Sequence, residues 1–75
     1  MTDFNKSLGP ALREIREEHK KTQQEIADML GVTKVSVHQW EAGKRNMYAK
    51  TLKKYCDALG IKMQTVFDRI EENKK

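Results

Sequence analysis

The stretch TQQEIADMLGVTKVSVHQWE, residues 22–41, decides the fold, because it reads as two short helices joined by a tight turn at Gly31. Thr22 followed three places later by Glu25 makes a capping box. The hydroxyl accepts from a backbone N–H of the first turn, while the carboxylate reaches back to the Thr22 amide. A helix therefore starts at Gln23. Its apolar side, Ile26, Ala27, Met29 and Leu30, has the three- and four-residue spacing of one buried stripe, and Gly31 follows where a left-handed residue ends a helix. Thr33 supplies a second cap, with Ser36 three places on, before a helix that buries Val37 and Trp40 and ends near Ala42 and Gly43. Val32 packs inward from the turn.

Outward from this pair the pattern stays helical, with no strand. Leu8, Ala11, Leu12, Ile15 and His19 share one side of a first helix, which Gly9-Pro10 can begin because proline suits a first turn. Leu52, Tyr55, Cys56 and Leu59 define a fourth helix closed by Gly60, and Met63, Val66, Phe67 and Ile70 define a fifth. The expectation is one domain over residues 1–75 with a core of about 8–70, a flexible N-terminal arm and a short C-terminal tail. A chain of this size buries only about 60% of its unfolded surface, so modest stability is expected.

Composition narrows the function classes. No apolar run approaches the ~20 residues of a membrane span, and the start MTDFNKS lacks a charged-then-apolar signal pattern, so a cytoplasmic protein with no membrane partner is expected. Cys56 is the single cysteine, spaced from Leu52 and Leu59 as a core thiol. His19, His38, Cys56 and the carboxylates show neither metal-ligand spacing nor a nucleophile-base-orienter arrangement. There is no glycine-rich phosphate loop either. No catalytic residue, metal, cofactor or small-molecule substrate is therefore expected.

Charge is unevenly placed. Between positions 34 and 54 lie Lys34, Lys44, Arg45, Lys50, Lys53 and Lys54 against the single acid Glu41, whereas the rest of the chain is nearly balanced. The excess thus falls on the second helix of the pair, the loop after it and the start of the fourth helix, as expected for contact with a phosphate backbone.

Taken in order, LGPALREIREE, TQQEIADMLGV, VHQWEAGKRN and TLKKYCDALGI resemble the helix-turn-helix family of lambda-type repressors, Cro proteins and their XRE-type relatives, over roughly Leu8 to Phe67. The resemblance implies an all-α, compact five-helix lambda repressor-like domain that binds double-stranded DNA. It departs from the family at Met47, where proline is usual, and at Lys62, where a small capping residue is usual. The resemblance also implies a structural ion pair of Glu41 with Arg16 of the first helix, and a backbone-clamping role for Gln23. In such a domain the second helix of the motif enters the major groove with its N-terminal residues at the base edges. That places Lys34, Val35, Ser36 and Gln39 on the groove side, with His38 at its edge. Gln39 suits adenine, Lys34 guanine, and Val35 a thymine methyl.

Backbone contacts are expected from Gln23, with the positive end of its helix dipole, from Thr33, and from Lys44, Arg45 and Asn46. Arg13 is expected to be solvated. Reading a pseudo-palindrome calls for a twofold homodimer, and Met63, Val66, Phe67 and Ile70 are its expected interface, with Phe4 adding to it. The function expected is a transcriptional repressor. The alternative is a protein-interaction helix-turn-helix module, such as an antitoxin or bridging coactivator; the basic loop and groove-facing Gln39 favour DNA.

Overall fold

The two short helices of residues 22–41 form as expected in the computed structural model, which describes residues 3–74. In chain order the helices are α1 (Asp3–Glu18), α2 (Gln23–Leu30), α3 (Lys34–Glu41), α4 (Ala49–Leu59) and α5 (Met63–Asn73), with no strand among the described residues. The capping box closes at both ends: the Glu25 amide donates to Thr22 Oγ1 at 3.0 Å and the Thr22 amide to Glu25 Oε1 at 2.9 Å. Gly31 ends α2 in the left-handed conformation, φ 71°. Thr33 caps α3 by accepting from the Ser36 amide at 3.1 Å.

Leu8, Ala11, Leu12 and Ile15 of α1 meet Ile26 and Ala27 of α2 and Val37 and Trp40 of α3 in one core. Leu52, Tyr55, Cys56 and Leu59 of α4 and Val66 and Ile70 of α5 complete it, with Met47 packed in from the loop before α4. Met47 therefore fills, with a flexible apolar chain, the place where the family usually has proline. Neither α4 nor α5 has a side-chain cap: Tyr48 and Lys62 stand at those positions without one.

Four expectations are corrected by long-range packing. First, α1 begins at Asp3 rather than at Gly9-Pro10, so Phe4 lies on a helix and not in a flexible arm. Pro10 inside α1 removes the N–H that would bond Lys6, at a cost of ~3 kcal/mol in a helix interior. The added turns are held from across the fold, since Asn5 Nδ2 donates to Asn46 Oδ1 at 3.0 Å and Asn5 Oδ1 accepts from the Met47 amide at 3.1 Å. Gly9 is glycine for space: a Cβ there would stand 2.4 Å from the Glu41 carbonyl oxygen, so α1 and α3 touch backbone to backbone. Second, α5 continues through Asn73, where a loose tail was expected from Glu71. Asn73 Nδ2 donates to Glu14 Oε1 at 3.2 Å, and Arg69 reaches Glu14 and Glu18, which together pin α5 to α1. Third, Met29 is 56% exposed, because the α2 stripe narrows to Ile26, Ala27 and half-buried Leu30. Fourth, His19 lies past the end of α1, exposed, with Nδ1 2.9 Å from the Ile15 carbonyl oxygen.

Candidate nucleic-acid interface

The outer face of α3 follows from which residues its inner face consumes. Val37, Trp40 and Glu41 are buried, so successive rotations of ~100° carry Lys34, Val35, His38 and Gln39 outward. Lys34 and His38 are exposed, Gln39 is half-buried at the margin, and Val35 is 63% exposed, so it is a surface residue and not a third core valine.

Glu41 is withdrawn from this face by a closed hydrogen-bond network. Its Oε2 accepts from Arg16 Nε at 2.7 Å and from the Tyr55 hydroxyl at 2.5 Å. Its Oε1 accepts from Arg16 Nη2 at 2.9 Å and Gln23 Nε2 at 3.1 Å. Arg16 Nη1 also donates to the Lys21 carbonyl at 2.7 Å, tying the α1–α2 connection to the same group. Burial pushes the Glu41 carboxyl up, but the hydrogen bonds from Arg16, Tyr55 and Gln23 outweigh it and hold the group below the ordinary glutamate range. The hydrogen bond to Glu41 raises Arg16, while burial, followed by the Glu41 hydrogen bond, raises Tyr55. The carboxylate is therefore charged, neutralised and out of the way of an incoming phosphate. Tyr55 read from sequence only as core; the partner that makes it part of this site lies 14 positions away, and no local pattern announces it.

The remaining expected contact residues divide. Gln23 sits half-buried at the α2 N-terminus, and one of its amide donors is committed to Glu41. Arg13, Gln23 and His38 line one polar crevice with Arg16, Glu41 and Ala42, and Arg13 is exposed there, as expected. It pairs loosely with Glu17 at 3.6 Å. Lys44 is exposed, whereas the Asn46 side-chain oxygen Oδ1 is taken by Asn5. Ser36 is not free on the groove side: Arg45 Nη1 donates to its Oγ at 2.9 Å, and Thr33 Oγ1 lies 3.1 Å away. Tyr48 is 79% exposed between the basic loop and α4.

At the opposite end of the fold, Val66 and Ile70 are buried in the core and offer no surface to a partner, which corrects half of the expected α5 interface. They turn inward because α5 packs on both α1 and α4. Met63 and Phe67 stay partly open, and Phe67 meets Phe4, itself 47% exposed, at a ring-centroid distance of 6.3 Å. No group of three or more histidine, cysteine, aspartate or glutamate side chains among the described residues is placed to hold a metal ion. Nor, among them, is any helix long and apolar enough to cross a membrane.

Two packed helices with an exposed polar strip on the second, set in a five-helix frame, define a helix-turn-helix domain. Residues 12–66 match the Helix-turn-helix family, and the chain belongs to it, in the XRE-type branch. That class is one of DNA-binding transcription regulators. Among solved structures, the chain is similar to the clp gene regulator ClgR from C. glutamicum, at 25% identity over 95% of this chain and 92% of that one, with a TM-score of 0.90. It is also similar to the restriction-modification controller protein C.AhdI from Aeromonas hydrophila, at 27% identity over 88% of this chain and all of that one, with a TM-score of 0.82. Among curated proteins none matches the sequence.

Proposed function

We propose that this chain is a sequence-specific transcriptional repressor that reads a pseudo-palindromic operator as a twofold homodimer. The observation that carries the reading is the division of α3: Glu41 is neutralised inside, while Lys34, Val35, His38 and Gln39 stand outside beside a loop bearing Lys44 and Arg45. Lys34 and Gln39 are hydrogen-bonding readers of guanine and adenine, and Val35 is an apolar reader of a thymine methyl. The α2 N-terminus, Gln23 and Lys44 hold phosphates on either side, and with four to six such contacts per subunit the log-log salt slope is about −0.9 for each.

One α3 covers only a few base pairs, so specificity requires a second copy with half-sites about 34 Å apart. Phe4, Met63 and Phe67 form the apolar surface that supports pairing. Such a dimer represses by covering a promoter. The similarity to ClgR, a clp gene regulator, and to C.AhdI, a restriction-modification controller protein, supports this class of function. Selection of bound sites from random DNA tests the proposal, with a palindromic motif expected. Recovery of no motif, together with salt-insensitive capture of a protein partner, overturns it in favour of an interaction module.

A further inference from the structure

The loop after α3 doubles back along that helix. Gly43 adopts φ 71°, and the Lys44 amide donates to the Gln39 carbonyl at 2.9 Å, a helix-ending turn that reverses the chain. Arg45 consequently returns beside the helix it has just left. Its guanidinium carbon lies 5.8 Å from the centroid of the Trp40 ring, and its Nη1 donates to Ser36 Oγ at 2.9 Å. The Ser36 hydroxyl lies 3.1 Å from Thr33 Oγ1, which already accepts the Ser36 amide, so the serine oxygen is engaged on both sides. Among the described residues no carboxylate lies within ion-pair distance of Arg45.

At ~100° per residue, Ser36 stands about 60° around α3 from Gln39, on the side away from Lys34. A guanidinium held at Ser36 therefore widens the reading strip by one side chain drawn from the loop. A phosphate can be held by a mobile point charge, but two acceptors on a base edge need a planar fork whose direction is set beforehand. The indole face and the serine oxygen set it. Only one of the five guanidinium N–H donors is used by Ser36, and the others remain in the plane for a ligand.

We propose that Arg45, rather than Ser36, is the base-reading group on this edge of α3, that it recognises the O6 and N7 acceptors of a guanine, and that Ser36 and Trp40 are its positioning residues. The assignment rests on the DNA-reading function above. Its test is selection from random DNA by the wild-type chain and by Arg45→Ala, Ser36→Ala and Ser36→Thr, with the salt dependence of each measured on the wild-type site. Equal melting temperatures verify folding, since both residues lie outside the core.

In the expected result, Arg45→Ala loses a preference of roughly 5- to 150-fold at one guanine per half-site and leaves the other positions and the salt slope unchanged. Ser36→Ala relaxes that same position in part, and Ser36→Thr, which keeps the hydroxyl, restores it. Uniform weakening of every sequence by Arg45→Ala, with the slope reduced by about 0.9, overturns the assignment in favour of a phosphate contact. A position altered by Ser36→Ala but not by Arg45→Ala overturns it in favour of direct reading by the serine. Failure of the wild-type chain to enrich any sequence overturns the DNA-reading function itself, and this assignment with it.

Discussion

Replacing Glu41 by glutamine preserves the shape of the side chain and removes the charge around which α1, α2, α3 and α4 are joined. The carboxylate accepts four hydrogen bonds, from Arg16 twice and from Tyr55 and Gln23 once each. An amide presents N–H groups to one pair of those donors, and Arg16, whose side chain is only 8% exposed, is left as an uncompensated cation. Breaking a buried pair in this way costs about 3–5 kcal/mol. A domain of this length has about 4–11 kcal/mol in total, so the variant keeps a fraction of its stability or none. A loss of 3 kcal/mol lowers the melting temperature by roughly 12–24 °C.

Urea titration at pH 7 measures it, followed by fluorescence of Trp40, the single tryptophan. Tyr55→Phe removes one hydrogen bond to the same charge and should cost less, about 1.5–3 kcal/mol. Acid adds a second signature. Because the folded-state carboxyl lies below its unfolded value, its stabilisation is complete above the usual glutamate range near ~4.3 and is lost as pH falls through the lowered value. Glu41→Gln should flatten that part of the acid limb. A loss below about 1 kcal/mol, with an unchanged acid limb, would refute the idea that this network holds the recognition helix in place.

Three further outcomes are expected. Val35→Ala should weaken binding to the selected site while leaving random DNA unaffected, read by competition gel shift; equal loss on both counts against methyl reading. Gly9→Ala should force α1 off the end of α3 and cost about 1–3 kcal/mol as an overpacking change, read by thermal melting; an unchanged melting temperature means the backbones do not meet there. Phe4→Glu should convert the proposed dimer to a monomer in sedimentation at micromolar concentration without lowering helix content, because Phe4 is exposed at the start of α1. A wild-type chain that sediments as a monomer on and off DNA removes the proposed interface.

What could be read along the chain was whatever is decided within about one helical turn. Thr22 with Glu25, Gly31, and Thr33 with the Ser36 amide are neighbours in sequence, so their geometry needed nothing from the rest of the fold, and residues 22–41 alone specified α2, the turn and α3. The spacing of Leu52, Tyr55, Cys56 and Leu59 marked the buried face of α4 for the same reason. Only the tertiary structure decided the features that depend on distant partners. The helical start of α1, against its own proline, depends on Asn5 meeting Met47 across 42 positions. Val66 and Ile70 turn inward, and Met29 outward, because a periodic stripe says which residues share a face but not how wide the neighbouring helices cover it. Arg45 reaches Ser36, nine residues back, only because Gly43 reverses the chain; a backbone turn sets that contact, and hydrophobic periodicity carries no record of it.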